Sequence, residues 1–165
     1  MKSLLLIRHA KSSWGDVTLP DFERPLNERG KNDAPEMARR LKNKKIIIDA
    51  FISSPAKRAK KTAELFIEEF GLKKKEIILI PALYEASVEA FYRAILAVDN
   101  TLNRIAVFSH NPGITSFANE LIKDVQLDNM PTCSIFAVRS NIKNWSDLKD
   151  AQKEFWFFDY PKKVE

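Results

Sequence analysis

Residues 4–9 read LLLIRH, four apolar residues followed at once by an arginine and a histidine. A short apolar run that ends abruptly in charged residues is typical of a strand buried on both faces of a sheet. Two later stretches follow the same pattern. Residues 45–52 run into serines at 53–54, and residues 104–108 run into a Ser-His pair at 109–110. The sequence therefore predicts buried strands whose last residues are polar.

Stretches with helical spacing of apolar residues lie between these strands. The predicted strands are residues 4–7, 45–52, 77–80, 104–108, 133–138 and 154–158. The predicted helices are residues 28–41, 55–70, 87–98 and 113–122, with Ser54 as the cap and Pro55 as the first residue of the second. Pro35 lies inside the first helix, so we expect that helix to begin only near this residue. The alternation predicts an α/β fold, a three-layer sandwich with a mostly parallel central sheet and helices on both faces.

Length and composition predict one domain covering residues 1–165. A single cysteine excludes an internal disulfide, and no apolar run reaches the length of a signal peptide or a membrane span, so we expect a cytoplasmic protein that binds no membrane. The net charge of +5 comes from scattered lysine clusters without interleaved aromatics, which predicts no nucleic-acid partner. The polar segment 140–153 is expected to be a mobile loop.

The chain has only two histidines, His9 and His110, and both follow predicted strands. Arg8 precedes the first histidine, and Arg58 lies one turn into the helix after residues 53–54. Ligands of open α/β sheets bind beyond the carboxyl ends of the strands. Neighbouring strands would therefore bring two imidazoles and two guanidinium groups to one pocket, a set suited to binding a phosphoryl group.

Four sequence blocks resemble those of the histidine phosphatase superfamily, which includes cofactor-dependent phosphoglycerate mutase. They are LIRHAKS at residues 6–12, RPLNERG at 24–30, SSPAKRAKKTA at 53–63 and SHNPG at 109–113. The sequence is most similar to the small SixA-like branch of phosphohistidine phosphatases. Ala10 stands where most members have glycine, and Gly15 stands where mutases typically have asparagine, which argues against mutase-type substrate contacts.

The resemblance implies covalent phosphoryl transfer without a metal or cofactor. His9 would be the nucleophile. The other implied catalytic residues are Arg8, Arg58 and His110, which would hold the phosphoryl oxygens, and Glu85, which would protonate the leaving group. Ser12 and Asn111 are the expected substrate-binding residues. The backbone N–H groups after His110, at a helix start, would bind phosphate in the same way.

The chain has no long insertion between the second and third strand-end blocks that would build a lid, and an open site suits a phosphoryl group on a protein surface. We therefore expect a phosphorylated protein, or else a small phosphoester, as substrate. A non-catalytic phosphate-binding module is the alternative from another class, and a mutase is a third. Cys133 and Arg139 match the bare C-x5-R of cysteine phosphatases, but the residues between them read as a strand rather than a phosphate loop.

Overall fold

A six-stranded sheet forms the centre of the computed structural model, which describes residues 1–163. The strands are β1 (Lys2–Arg8), β2 (Ala50–Ser53), β3 (Ile78–Leu79), β4 (Arg104–Ser109), β5 (Ile135–Ser140) and β6 (Glu154–Asp159). Their order across the sheet is β3-β2-β4-β1-β5-β6. The first four strands are parallel, whereas β5 pairs antiparallel with β1 and with β6. The mostly parallel sheet predicted from the sequence is confirmed. The single domain 1–165 stays a prediction, and its last two positions lie outside the described residues.

Helices cover both faces of this sheet. They are α1 (Glu28–Asn43), α2 (Lys57–Glu69), α3 (Val88–Leu96) and α4 (Gly113–Leu121). Successive residues of β1 point to opposite faces. Leu5 packs in the cluster with α1 and α2, and Leu6 packs in the cluster with α3 and α4. The three-layer arrangement is therefore also confirmed.

Helix α1 begins at Glu28, so the expected start near Pro35 is wrong. The side chain of Asn27 caps the helix by accepting a 2.8 Å hydrogen bond from the backbone N–H of Gly30. Pro35 then lies inside the helix and removes one intrahelical hydrogen bond. Burial of the apolar face, which includes Met37 and Leu41, offsets this loss.

The start of β2 and the start of α2 also differ from the prediction. The strand expected over 45–52 is limited to Ala50–Ser53, because Ile46 and Ile48 are buried in the core without joining the sheet ladder. An apolar run indicates that a segment is buried, and here the buried segment begins before the strand does. Helix α2 begins at Lys57 rather than at Pro55, so Ser54 is not its cap.

The segment 140–153 is anchored to the core, so its description as a mobile loop is wrong. Trp145 is fully buried within a short 3-10 turn. Its indole N–H donates a 2.7 Å hydrogen bond to the carbonyl of Leu102, and its backbone N–H donates one of 2.7 Å to the side chain of Asn100. A single buried tryptophan can fix an otherwise polar segment, because its large apolar surface leaves water while its N–H keeps a partner.

None of the helices within residues 1–163 has the length and apolar character needed to cross a bilayer.

Candidate active site

The carboxyl ends of β1, β2 and β4 lie side by side at one edge of the sheet. Arg8 pairs with Ser109 across β1 and β4, and Ser53 pairs with Phe108 across β2 and β4. This edge opens into a cavity of about 680 Å³. The structure brings all the candidate residues to its lining: Arg8, His9, Ser12, Arg58, Glu85, His110 and Asn111. Their chemical roles remain predictions.

Hydrogen bonding defines the tautomer of His9. Its Nδ1 lies 2.8 Å from the carbonyl oxygen of Ala10, which can only accept, so Nδ1 carries the proton. Its Nε2 therefore carries an unprotonated lone pair, which accepts a long hydrogen bond of 3.3 Å from the Nε–H of Arg58. A phosphorus atom that bonds to Nε2 would lie next to the Arg58 guanidinium.

The surroundings of His9 keep its imidazole neutral. Burial disfavours the charged form and, although the Ala10 carbonyl opposes it, lowers the pKa of His9 to about 3 with the help of the nearby charges of His110 and the two arginines. A neutral imidazole with a free lone pair is the form that can act as a nucleophile. The imidazole of His9 is therefore neutral throughout the neutral pH range.

Arg58 is held in place by Asp21, from the loop before α1. The Nη1 of Arg58 donates to the backbone carbonyl of Asp21 over 2.6 Å, and its Nη2 donates to the carboxylate over 3.0 Å. The hydroxyl of Tyr84 donates to the same carboxylate over 2.7 Å. Partial burial would raise the pKa of Asp21, but the hydrogen bonds from Tyr84 and Arg58 outweigh it and lower this pKa to about 2. Asp21 is thus a carboxylate that orients the guanidinium.

His110 forms its hydrogen bond with Ser54 and not with His9. Its Nε2 lies 2.7 Å from the Ser54 hydroxyl, which also accepts a 3.2 Å hydrogen bond from the backbone N–H of Ala56. If Ser54 donates its proton to Nε2, then Nδ1 carries the ring proton. Within residues 1–163 this buried Nδ1 has no partner, so it is free to donate to a phosphoryl oxygen. Burial, with the charge of Arg58, lowers the pKa of His110 to about 3.

Arg8 also retains an unused donor. Its Nη1 donates to the carbonyl of Met130 over 2.8 Å, which fixes the guanidinium at the end of β1. Its buried Nε has no partner in the part of the chain that the structure describes. Unpaired buried donors are rare in proteins, and because both residues line the cavity, a bound phosphoryl group is the partner that we propose for the donors of Arg8 and His110.

Arg24 adds a third guanidinium to the cavity lining. It is buried, and it donates from Nη1 to the hydroxyl of Ser12 over 2.9 Å. The exposed ring of Trp14 covers this guanidinium, with its centroid 3.6 Å from the central carbon. Ser12 keeps its own hydroxyl proton, which is available to a ligand oxygen.

The loop after His9 is supported by α1 and α2. The backbone N–H of Ala10 donates to the hydroxyl of Thr62 over 2.9 Å. Gly30, in the first turn of α1, lies so close to the Lys11 carbonyl that a methyl group at this position would clash with it. The glycine that ends the block at residues 24–30 therefore allows α1 to pack directly beneath the loop that follows His9.

Glu85 and Asn111 occupy different positions in the site. Glu85 is exposed at the cavity and has a left-handed backbone with φ of 54°. Such a conformation costs a non-glycine residue about 1 kcal/mol or more and is common at functional sites. The amide of Asn111 donates to Asn129 and to the Met130 carbonyl and accepts from Thr115. Its side chain therefore supports the neighbouring loop, which leaves its backbone N–H for the predicted contact with substrate.

Cys133 cannot act as the nucleophile of a cysteine phosphatase. Its side chain is fully buried, and burial raises the pKa of its thiol, so the thiolate is absent at neutral pH. Arg139 lies within β5, where it pairs with Glu154 over 3.0 Å instead of facing the cysteine.

Residues 1–163 contain no cluster of three or more His, Cys, Asp or Glu side chains that could hold a metal ion. The independence from metals remains a prediction.

The two depressed histidine pKa values make the stability of the fold depend on pH. Each imidazole has a pKa of about 6.5 when unfolded and about 3 when folded, so the unfolded chain binds more protons between these values. The free energy of unfolding should therefore fall as the pH drops below 6.5, by about 2 kcal/mol per histidine at pH 5. Urea unfolding at pH 7 and pH 5 measures this loss. The His9→Asn/His110→Asn variant should lose much less stability between these two pH values. An equal loss would show that the two histidines are not the source of the pH dependence.

Comparison with known sequences identifies the family to which this chain belongs. Residues 4–94 match the model of the histidine phosphatase superfamily (branch 1), and the chain belongs to this family. A 2,3-bisphosphoglycerate-dependent phosphoglycerate mutase of Bartonella henselae is 34% identical over 86 residues, which are 51% of this chain and 42% of the mutase. The matched regions cover only about two-fifths of the curated relatives, 38% and 42% of two of them.

Solved structures match over nearly the whole chain. A protein of Agrobacterium tumefaciens that carries the name phosphohistidine phosphatase SixA is 23% identical, with a TM-score of 0.80 over 97% of this chain and 98% of its own. The protein histidine phosphatase SixA, solved with tungstate, is 22% identical, with a TM-score of 0.82 over 96% and 97% of the two chains. At these identities the similarity establishes a shared fold.

Four further residues complete the site, and the sequence patterns alone give little sign of their roles: Asp21, Arg24, Ser54 and Tyr84. Arg24 and Ser54 lie inside the blocks that resemble the family, so their position gives some signal. Asp21 and Tyr84 lie outside these blocks, in segments without a regular pattern, and only their contacts identify them.

Proposed function

We propose that this protein is a metal-independent phosphatase that uses His9 as its nucleophile and removes phosphate from phosphohistidine in proteins. The observation that carries the proposal is the unprotonated Nε2 of a neutral, buried His9, whose hydrogen-bond donor is the Nε–H of Arg58 at 3.3 Å, a long bond that a phosphorus atom would displace. Unpaired donors on Arg8 and His110 beside it support the binding of a phosphoryl group. Membership of the histidine phosphatase superfamily supports the same chemistry, as does the similarity of the fold to proteins named SixA.

In the first step, the lone pair of His9 Nε2 attacks phosphorus as the bond from phosphorus to the leaving atom breaks. Arg8, Arg58 and His110 stabilise the charge that spreads over the phosphoryl oxygens. The leaving atom takes a proton, for which Glu85, an exposed carboxyl on the cavity lining, is the proposed acid. For phosphohistidine the leaving imidazole is already a good leaving group, so this acid is needed less.

In the second step, water attacks phosphorus and the bond to Nε2 breaks. Inorganic phosphate leaves, and His9 returns to its neutral form with Nδ1 still bonded to the Ala10 carbonyl. Ser12 and the backbone N–H of Asn111 are the proposed additional contacts to the phosphoryl oxygens. The order of events divides one hard displacement into two easier ones.

The mouth of the cavity favours a substrate on a protein surface. Trp14 is 74% exposed and Val17 is 93% exposed on the loop beside the site. Trp14 lines the cavity and gives its rim an exposed apolar contact, and tryptophan is enriched where proteins meet other macromolecules. A small phosphoester would use the same catalytic residues without this rim, and a mutase would have to retain the phosphoryl group at this open site. The proposed location is the cytoplasm, because Cys133 is a free thiol and thiols stay reduced there.

Hydrolysis of a phosphohistidine-bearing protein, measured beside a panel of small phosphoesters, tests this function. We expect fast release of phosphate from the protein, slower release from the esters and no loss of activity in EDTA. Activity confined to small esters would keep the mechanism and refute the protein substrate. Binding of phosphate without turnover of any substrate would leave the non-catalytic module, and a loss in EDTA that a divalent ion restores would refute metal independence.

A further inference from the structure

A second depression, of about 440 Å³, lies next to the catalytic cavity. Its floor includes Pro25 and Leu26, and Glu64 is its single carboxylate. Its rim carries four lysines: Lys31, Lys57, Lys60 and Lys61. This surface has a strong positive charge that the proposed mechanism does not use.

The depression is continuous with the active site along two segments of the chain. Pro25 follows Arg24, which lines the catalytic cavity, and Lys57 precedes Arg58. The exposed side chain of Lys11 lines the cavity itself, and the backbone of Lys11 contacts the start of α1 near Lys31. These five lysines (Lys11, Lys31, Lys57, Lys60 and Lys61), which we call the lysine surface, extend from the mouth of the site.

The position of these lysines is unfavourable for the helix that carries them. Lys57, Lys60 and Lys61 lie in the first two turns of α2, where the helix dipole is positive. The first turn contains no acidic residue, and its cap residue, Ala56, has no side chain that could accept a hydrogen bond. Lys57 is also three and four residues from the other two, a spacing at which like charges repel. The helix thus bears a local cost that a partner of opposite charge would relieve.

The charge of the lysine surface is also poorly compensated within the protein. Across residues 1–163, Lys57, Lys60 and Lys61 take part in no ion pair within 4.0 Å, and Lys31 has only a 3.5 Å contact with Glu28. By contrast, Lys74 near the other end of α2 pairs with Glu68 over 2.9 Å. Within the described residues, Lys57, Lys60 and Lys61 therefore carry positive charge that no carboxylate pairs with.

We propose that the lysine surface is a docking site for an acidic face of the phosphoprotein substrate, an inference that rests on the proposed function. Positive charge beside the cavity would attract an acidic partner and raise the rate of productive encounters. The depression has an apolar floor that admits a side chain of the partner, and its lysines lack the interleaved aromatic residues that nucleic-acid surfaces use for stacking. A protein partner fits these features better than a nucleic acid does.

Binding of a fluorescent glutamate-rich peptide with an unphosphorylated histidine tests the docking site without any need for catalysis. We expect Lys60→Glu/Lys61→Glu to weaken binding about tenfold at low salt, with the difference shrinking as salt is added. Lys73→Glu/Lys75→Glu, which changes the net charge equally near the other end of α2, should change binding less than twofold. Equal effects of both variants would overturn the proposal, because they would reflect net charge alone.

Turnover of phosphohistidine peptides separates docking from chemistry. Wild type should have a kcat/KM about tenfold higher for a peptide whose phosphohistidine is flanked by glutamates than for one in which it is flanked by glutamines. Lys60→Glu/Lys61→Glu should remove this preference. The same variant should cleave free phosphohistidine at the wild-type rate. An unchanged preference would overturn the docking site. Absence of all turnover, with charge-dependent binding intact, would overturn the proposed function only. Stronger competition by a short single-stranded RNA than by an acidic peptide would overturn the assignment to a protein partner.

Discussion

Replacement of His9 by alanine should lower kcat by at least about 10⁴-fold on every substrate that the protein hydrolyses. Alanine has no lone pair with which to attack phosphorus. The fold should survive, because the side chain of His9 makes one internal hydrogen bond as donor, to the Ala10 carbonyl, and its charge is already absent. Steady-state kinetics and thermal unfolding of the variant measure both effects.

The covalent intermediate gives a second readout for His9. Rapid quenching of wild type and ³²P-labelled substrate in alkaline detergent should leave label on the protein in the acid-labile, alkali-stable form typical of phosphohistidine. The His9→Ala variant should retain none of it. Ser116→Ala, at an exposed position in the same cavity lining, is a matched control that should behave as wild type. A His9→Ala protein with activity within tenfold of wild type would refute covalent catalysis by this residue.

The strand-end residues of the site were predictable because parallel strands impose a simple geometry. A buried strand ends where its apolar run ends, and neighbouring parallel strands end at one edge of the sheet. Arg8 and Ser109 are register partners for this reason. Their neighbours His9 and His110 consequently have ring centroids only 5.2 Å apart, although 101 positions separate them in the chain.

The contacts that orient these groups were not predictable, because they depend on irregular segments. Asp21 reaches Arg58 from a loop with no periodic pattern. Ser54 stands before a helix and a proline, where a cap is the expected role, yet its hydroxyl bonds to His110. A serine at such a position can bond to backbone or side-chain groups, and only the folded chain decides which. The burial of Trp145 was unpredictable for a similar reason, because a polar segment gives no sign that one of its aromatic side chains is buried.

Replacement of Arg58 by alanine should lower kcat/KM by about 10³-fold, the lower end of what a charge-stabilising arginine contributes to phosphoryl transfer. The residue combines two functions. Its Nε–H contacts Nε2 of His9, and the two N–H groups that Asp21 does not engage are the donors that we propose for the phosphoryl oxygens. Arg39→Ala removes an exposed arginine of α1 that pairs with Glu69, and it should leave kcat/KM within twofold of wild type.

Arg58→Lys distinguishes the shape of this group from its charge. Lysine keeps one positive charge but has no planar fork, so it cannot contact His9 and both positions on Asp21 at once. We therefore expect the lysine variant to have a kcat/KM at most about tenfold higher than that of the alanine variant, because Asp21 loses the two hydrogen bonds that Arg58 donates to it. If lysine restores activity to within threefold of wild type, charge alone is sufficient, and the oriented guanidinium is not what Asp21 provides. If alanine itself has little effect, Arg8 and His110 hold the phosphoryl group without Arg58.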